Sequence, residues 1–302
     1  NSLKLENLKT KLFKGSHKNL FTILFMNIHL FCLLFSKQKF KKIHVVDEQF
    51  YFFFIPVLLL YKSFITLDIF DSFFLKKNIE NNKWIIIKKI IYGTVNRIIV
   101  TDSNRFNLLP SFAKLKTIVI PNVPFKNPFF NSAKPGNEEK LTISYFGTLH
   151  KDRGSSFIDG ILSKEYDVKI LMAGWIVDSY TQNLILKYPD SIDYLGLISQ
   201  DEANKIIYEK AHYLLCIYPA NNLNNIYASP NKIYDAIQTK TPVIMNSEII
   251  VSEFVIKNNL GFVFENQKPN YDEIYNQLLK RKFYINNDLS KKYIWENYEK
   301  QL

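Results

Sequence analysis

Residues 228–244 read ASPNKIYDAIQTKTPVI. Ser229 carries the hydroxyl of an N-cap, and Pro230 follows where a helix loses nothing by lacking an N–H. Asn231 to Thr239 then read as one short helix with Ile233, Ala236 and Ile237 on a common face. Pro242 stops it, and Val243-Ile244-Met245 reads as a buried strand. The spacing predicts a helix N-terminus that presents Asn231 and Lys232, with Asp235 within two turns. Free N–H groups, the positive end of the helix dipole and a lysine suit an anionic ligand such as a phosphate. On this stretch alone, a capped surface helix with a solvated lysine is the plain alternative.

The elements that must hold this helix alternate along the whole chain. In the first half KKIHVVDE, SFITLDIFD, NRIIVTDS and KTIVIPN are short β-branched strands, each ending on a polar or acidic residue. Helical stretches of ten or more residues separate them, the pattern of a parallel sheet with crossover helices. Residues 121–136, PNVPFKNPFFNSAKPG, break the pattern and read as a linker. The second half restarts with LTISYFG, DVKILMAG, IDYLG, AHYLLCIYP, TPVIMNS and LGFVFE. The expected architecture is α/β, with one Rossmann-like domain over 1–136 and another over 137–302. Two such open sheets place a ligand cleft at the carboxyl ends of their strands.

Composition narrows the chemistry. At 302 residues, 47% hydrophobic and 22% charged, the chain is globular and long enough for two cores. Cys32 and Cys216 both lie in apolar runs and read as reduced core residues, with no disulfide framework or metal spacing. The histidines at 17, 29, 44, 150 and 212 show no ligand-like clustering, so no metal is expected. The net charge of +11 divides unevenly. Residues 1–136 hold 21 Lys and Arg against 7 Asp and Glu, while residues 137–302 hold 18 against 21. A basic half suggests a polyanionic partner, nucleic acid or an anionic membrane surface. No nucleic-acid-binding fingerprint is present, and the lysines interleave with Phe, Leu and Ile in KNLFTILF and KQKFKKI, which favours the membrane surface.

The apolar runs Leu20–Phe35 and Phe50–Tyr61 fall short of the roughly twenty residues that a membrane span needs, and the second contains Pro56. Both read as buried helices of an α/β domain. With no signal-peptide pattern, the expectation is a cytoplasmic chain, peripheral on the inner face of the cell membrane.

Five stretches, in order and at consistent spacing, carry a resemblance: ISYFGTLHKDRGSSFIDGI, KILMAG, IDYLGLISQDEANKIIYEKAHYLLCIYP, ASPNKIYDAIQTKTPVI and NNLGFVFEN. The second half resembles the donor-binding domain of glycosyltransferases with two Rossmann domains facing a cleft (the GT-B type), particularly the large retaining family four. The first half is similar more weakly, through IHVVDE, ITLDIFD, IIVTDSN and IVIPNVP. The resemblance implies a nucleotide-sugar donor whose diphosphate lies near Gly147, Thr148, Arg153 and Gly174. It also implies a helix start at Ser229, Asn231 and Lys232 facing the phosphates, and Asp235 opening onto the cleft to hold the ribose. Arg153 could pair phosphate oxygens in a fork, and positioned cations would stabilise the leaving diphosphate without a metal or other cofactor.

Departures from the pattern are specific. Where the family often has a first glutamate eight positions before the second, this chain has Tyr227. Where a sugar-facing histidine often follows the second strand, it has Asp47-Glu48, which become the candidate catalytic pair; Phe70 stands where another histidine is common, and His44 reads as packed. There is no recognisable first strand or glycine-rich acceptor loop, so the chain reads either as a fragment with a truncated N-terminal domain or as a diverged protein with a shortened one. The implied function is transfer of a hexose from a nucleotide sugar to a lipid-linked or polysaccharide acceptor in cell-envelope glycan assembly, such as lipopolysaccharide or capsule. A related epimerase, a non-catalytic sugar-nucleotide-binding partner in a glycan complex, and a nucleic-acid-binding protein remain open alternatives.

Overall fold

A computed structural model describes residues 20–35, 40–60, 63–79, 84–126, 140–280 and 283–302. The boundary expected at 136/137 and much of the lysine-rich sequence before residue 40 lie outside them. The chain forms two compact units. The first gathers the described residues of 1–73, 81–99 and 110–118; the second takes 74–80, 100–109 and 119–302.

The first half of the chain forms α1 (Leu20–Leu34), β1 (Lys42–Val46), α2 (Glu48–Leu60), β2 (Phe64–Ile69), α3 (Phe73–Lys76), α4 (Ile85–Thr94), β3 (Arg97–Val100), α5 (Ser103–Asn107), α6 (Ser111–Lys114) and β4 (Thr117–Val119); of these, α5 and all of α3 but Phe73 fall in the second unit and the rest make up most of the first. The strands lie in the order β1-β2-β3-β4, with β1 parallel to β2 from Lys42 opposite Phe64 to Val46 opposite Asp68. All four strands expected from sequence form. The helices differ from expectation. Among the described side chains of α1 only Leu34 is buried, and Leu24, Ile28, Phe31 and Cys32 are exposed. Helix α2 buries Tyr51, Ile55, Val57 and Leu58 but exposes Phe52, Leu59 and Leu60. Both runs are apolar around the whole helix, and a helix has only one face to give to a sheet. No helix among the described residues is long and apolar enough to cross a membrane.

The second unit contains β5 (Leu141–Leu149), α7 (Ser155–Leu162), β6 (Val168–Ile176), α8 (Ser179–Lys187), β7 (Ile192–Tyr194), α9 (Gln200–Lys210) and β8 (Tyr213–Cys216). It continues with α10 (Leu223–Ile226), α11 (Asn231–Thr239), β9 (Val243–Asn246), α12 (Ser252–Lys257), β10 (Gly261–Phe264), α13 (Tyr271–Lys280) and α14 (Asn287–Lys292). Its six strands pair in parallel in the order β10-β9-β8-β5-β6-β7. Alternate residues feed two cores. Ile143, Tyr145, Ile170, Met172, Tyr213 and Leu215 join the helices of one face. Phe146, Leu171, Ala173, Leu214 and Cys216 join those of the other. A parallel sheet covered on both faces needs this continuous apolar sequence. Helices α8 and α9 start on side-chain caps, with Asp178 accepting from the Thr181 N–H and Ser199 from the Glu202 N–H.

The strand order reverses between β5 and β8, which lie side by side at the centre of the sheet. In open α/β sheets that reversal parts the loops at the carboxyl ends and leaves a crevice for ligand. Beside it, β5 and β6 run two residues past the glycines that sequence takes as their ends, in register with Gly147 opposite Gly174. Gly174 has φ of +133°, and a Cβ there would lie 1.8 Å from the Gly147 carbonyl oxygen. Gly196 also has positive φ but faces open space. Gly174→Ala is therefore expected to lower unfolding free energy by roughly 3 kcal/mol or more, and Gly196→Ala by about 1–2 kcal/mol, measured by denaturant titration. Equal losses would remove the close approach as the reason for Gly174.

Candidate anion site at the strand-order reversal

The site begins with Gly147, near the end of β5, whose φ of +106° and missing side chain bring its Cα beside Lys232. A Cβ on Gly147 would touch the Lys232 Cε at 3.9 Å. Lys232 is the second residue of α11, and its ammonium lies 5.0 Å from the centre of the buried Tyr145 ring. The ring's electron-rich face favours the cation where little water reaches it.

Arg153 comes from the turn after β5. His150 Nδ1 accepts from the Asp152 N–H at 3.0 Å and holds a 3-10 turn over Lys151–Arg153. The Tyr145 hydroxyl receives the His150 N–H at 2.9 Å from below. Gly154 closes the turn at φ +148°, where a Cβ would lie 2.8 Å from Leu215. The Arg153 guanidinium comes to rest 4.8 Å from the Tyr218 ring centre. Tyr218 is fixed by Asn246, which accepts from its N–H and donates to its carbonyl, both at 3.0 Å. Neither Arg153 nor Lys232 has a carboxylate within 4.0 Å among the described residues.

Thr148, His150, Asp152, Arg153, Asn221 and Asn225 line an open pocket of about 330 Å³ here. Asp178 caps the next helix beside it and accepts from the Lys151 N–H at 2.7 Å. Burial alone raises the Asp178 carboxyl, but the N–H groups of Lys151 and Thr181 outweigh it and hold the carboxyl below its usual range. Next to Gly147, burial lowers the pKa of Lys232, the neighbouring Arg153 lowers it further, and Cys216 and Asp235 oppose the shift. Burial pushes the Cys216 thiol up to about 11, and Lys232 draws it back. Two cations held within electrostatic reach of each other form a site that favours a multiply charged anion.

The residues expected from sequence divide. Thr148 and Arg153 line the pocket; Gly147 precedes Thr148 in β5, and Lys232 lies against Gly147. Asn231 is exposed at the start of α11. Gly174 serves the close packing of β5 on β6. Ser229 is not the N-cap: Pro230 holds that position in extended conformation, which leaves Ser229 one residue too early to reach the helix N–H groups. Its hydroxyl is buried beside Tyr234 rather than on the helix N–H groups. Asp235 does not open outward. It is 7% exposed and turns into the protein beneath Lys232, near Asn204 and Gln200 of α9. Residues that pattern alone missed are Tyr145, His150, Asp152, Tyr218, Asn221 and Asn225; the polar run NNLNN, past the end of β8, was a visible signal for the two asparagines alone.

The expected catalytic pair in the first unit is also placed otherwise. Glu48, at the start of α2, is 1% exposed and accepts hydrogen bonds from the hydroxyls of Ser72 and Tyr92. It is enclosed in the core of the unit, with Lys88 close enough for its own pKa, lowered by burial, to be drawn back. Asp47 has φ of +66°, and its carboxylate accepts from the Asp71 N–H at 2.8 Å, tying the ends of β1 and β2. His44 is not packed: it is exposed and pairs with Asp68 at 3.1 Å.

Burial raises the Asp235 carboxyl from 3.8 to about 7, partly opposed by Lys232, Asn204 and Gln200. The folded state therefore holds this proton more tightly than the unfolded chain. Its stabilising effect is full below pH 4 and is lost as pH rises through 7. Wild-type stability is expected to fall between pH 5 and 8 by roughly 2–3 kcal/mol more than that of Asp235→Asn, measured by urea titration at each pH. Parallel pH profiles would show the carboxylate to be solvated.

No family model matches the chain, and no curated protein matches it. Solved structures do. Sucrose-phosphate synthase from Thermosynechococcus elongatus superposes with a TM-score of 0.71 at 15% identity, over 97% of this chain and 79% of that one. HepE from Anabaena, solved in complex with UDP and glucose, gives 0.65 at 11% identity, over 93% of this chain and 79% of that one. The lipopolysaccharide outer core galactosyltransferase WaaB gives 0.58 at 10% identity, over 92% and 77%. At such identities the likeness establishes the fold alone, and that fold is of the GT-B type.

Proposed function

We propose that this protein is a glycosyltransferase that holds a nucleotide-sugar donor in its second unit and moves the sugar to a lipid-linked or polysaccharide acceptor of a cell-envelope glycan. The observation that carries the reading is the pairing of Arg153 and Lys232 at the strand-order reversal, both without a carboxylate partner among the described residues. A leaving diphosphate develops negative charge as the glycosidic bond breaks, and two positioned cations stabilise that charge without a metal. That HepE was solved with UDP and UDP-glucose supports a sugar nucleotide as the ligand class. The proposal includes hexosyl transfer with retention, and gives Glu48 and Asp235 no contact with the substrate. A second reading, a sugar-nucleotide-binding partner without turnover, is favoured by the enclosure of Glu48. Release of nucleotide from a panel of nucleotide sugars, with acceptor present, separates the two.

The reading extends to a peripheral place on an anionic membrane, inner face included. It is supported by the lysine excess of residues 1–136 and by exposed apolar side chains such as Leu24, Ile28 and Leu60. Apolar groups and lysines together bind a lipid interface through contact and charge.

Two measurements test these proposals. Arg153→Ala and Lys232→Ala should each weaken binding of UDP or ADP tenfold or more, because a hydrogen bond to a charged group contributes roughly 1.5–3 kcal/mol. Unchanged affinity in both variants would sink the donor site. Sedimentation with anionic vesicles should carry the protein down at low salt and less so at 0.15 M, where screening acts beyond about 8 Å. Equal partition onto neutral vesicles at every salt would make the lysines merely solubilising.

A further inference from the structure

The pocket wall between β8 and α11 has little structure of its own. Residues 217–230 contain one helix, α10, of four residues, too short to persist alone. Yet this segment supplies Tyr218 under Arg153, Asn221 and Asn225 in the pocket, and the approach to Lys232. The amino end of α10 is capped locally, by Asn222 accepting from the Asn225 N–H at 2.9 Å. Its carboxyl end is held from far away in sequence. Arg105 Nε donates to the Tyr227 carbonyl at 2.8 Å, and Nη2 donates to both the carbonyl and the Oδ1 of Asn224 at 3.3 Å.

We infer that Arg105 is a positioning residue for the anion pocket, one that fixes the 217–230 wall by capping α10; this rests on the nucleotide-sugar reading of the pocket. The last carbonyls of a helix have no intrahelical donor, and a cation there also meets the negative end of the helix dipole. A guanidinium suits the task because its planar fork reaches carbonyls three residues apart, which a single ammonium cannot. Arg105 is 5% exposed and Asn224 is 6% exposed, so these bonds are made away from water. The fork is itself oriented: Asp102 caps α5 by accepting from the Arg105 N–H at 2.9 Å. Two amides brace the same wall at either side. Asn78 Oδ1 accepts from the Leu223 N–H at 2.8 Å, and Asn122 Nδ2 donates to the Ser229 carbonyl at 3.0 Å.

The test compares the full chain with Arg105→Lys and Arg105→Gln by amide hydrogen exchange and by calorimetric binding of pyrophosphate and UDP. In Arg105→Gln, exchange should rise tenfold or more across 219–228 and stay unchanged in β5, β6 and β9, while affinity for both probes falls about tenfold. Arg105→Lys should fold normally and lose affinity by an intermediate factor. Methylguanidine at low millimolar concentration should restore part of the affinity of Arg105→Gln. Protected amides at 219–228, or a loosened segment with full affinity, would overturn the inference, as would exchange rising uniformly over 140–302. Failure of the wild-type chain to bind either probe would overturn the nucleotide-sugar reading, and with it this one, and shows in the parent rather than in the variants.

Discussion

The reversal of strand order between β5 and β8 governs the second unit. Neighbouring parallel strands whose connections leave toward opposite sides cannot share a continuous loop layer over their carboxyl ends. Something must open there, and what borders the opening is set by which residues end the two strands. Here β5 ends in Gly147-Thr148 and the Arg153 turn, and β8 ends in Cys216 and then Tyr218. Gly174 packs closely on Gly147, β5 continues in register with β6 past that pair, and the turn that follows sets Arg153 over Tyr218.

Charge follows from the same geometry. Lys232 lies over Tyr145 and alongside Gly147, and Tyr145 in turn supports the backbone of His150. Aromatic faces beneath both cations replace part of the water they lose, and leave their outer sides for an anion. Asp235 underlies Lys232 as a buried carboxyl rather than as a ligand-facing one. It joins α11 to α9 through Asn204 and Gln200.

Sequence made the ten strands, the parallel pattern and the span of α11 readable, because each depends on residues close together in the chain. Three side chains defeated it for one reason. Glu48 is enclosed by Tyr92, 44 positions away, and Asp235 is turned inward near Asn204 on another helix. Arg105 acts on Tyr227, 122 positions away. Adjacent acidic residues at a strand end look the same in sequence whether they face ligand or core. Ser229 failed differently: the proline behind it took the cap, a shift of one residue that decides where a hydroxyl points.

The pairing of β5 with β8 also orders the birth of the molecule. Ile143 meets Tyr213 and Ser144 meets Leu214, so the central strand pair cannot close until some seventy residues beyond β5 have left the ribosome. Strand β6 is available to β5 much sooner, since Leu141 pairs with Val168. During that interval β5 has one neighbour and one bare edge, and the side chains of Ile143, Tyr145 and Phe146 still lack part of the core that later buries them. The nascent chain is therefore most vulnerable to aggregation before α9 and β8 emerge, and a chaperone that shields a hydrophobic strand edge would act on it in that window.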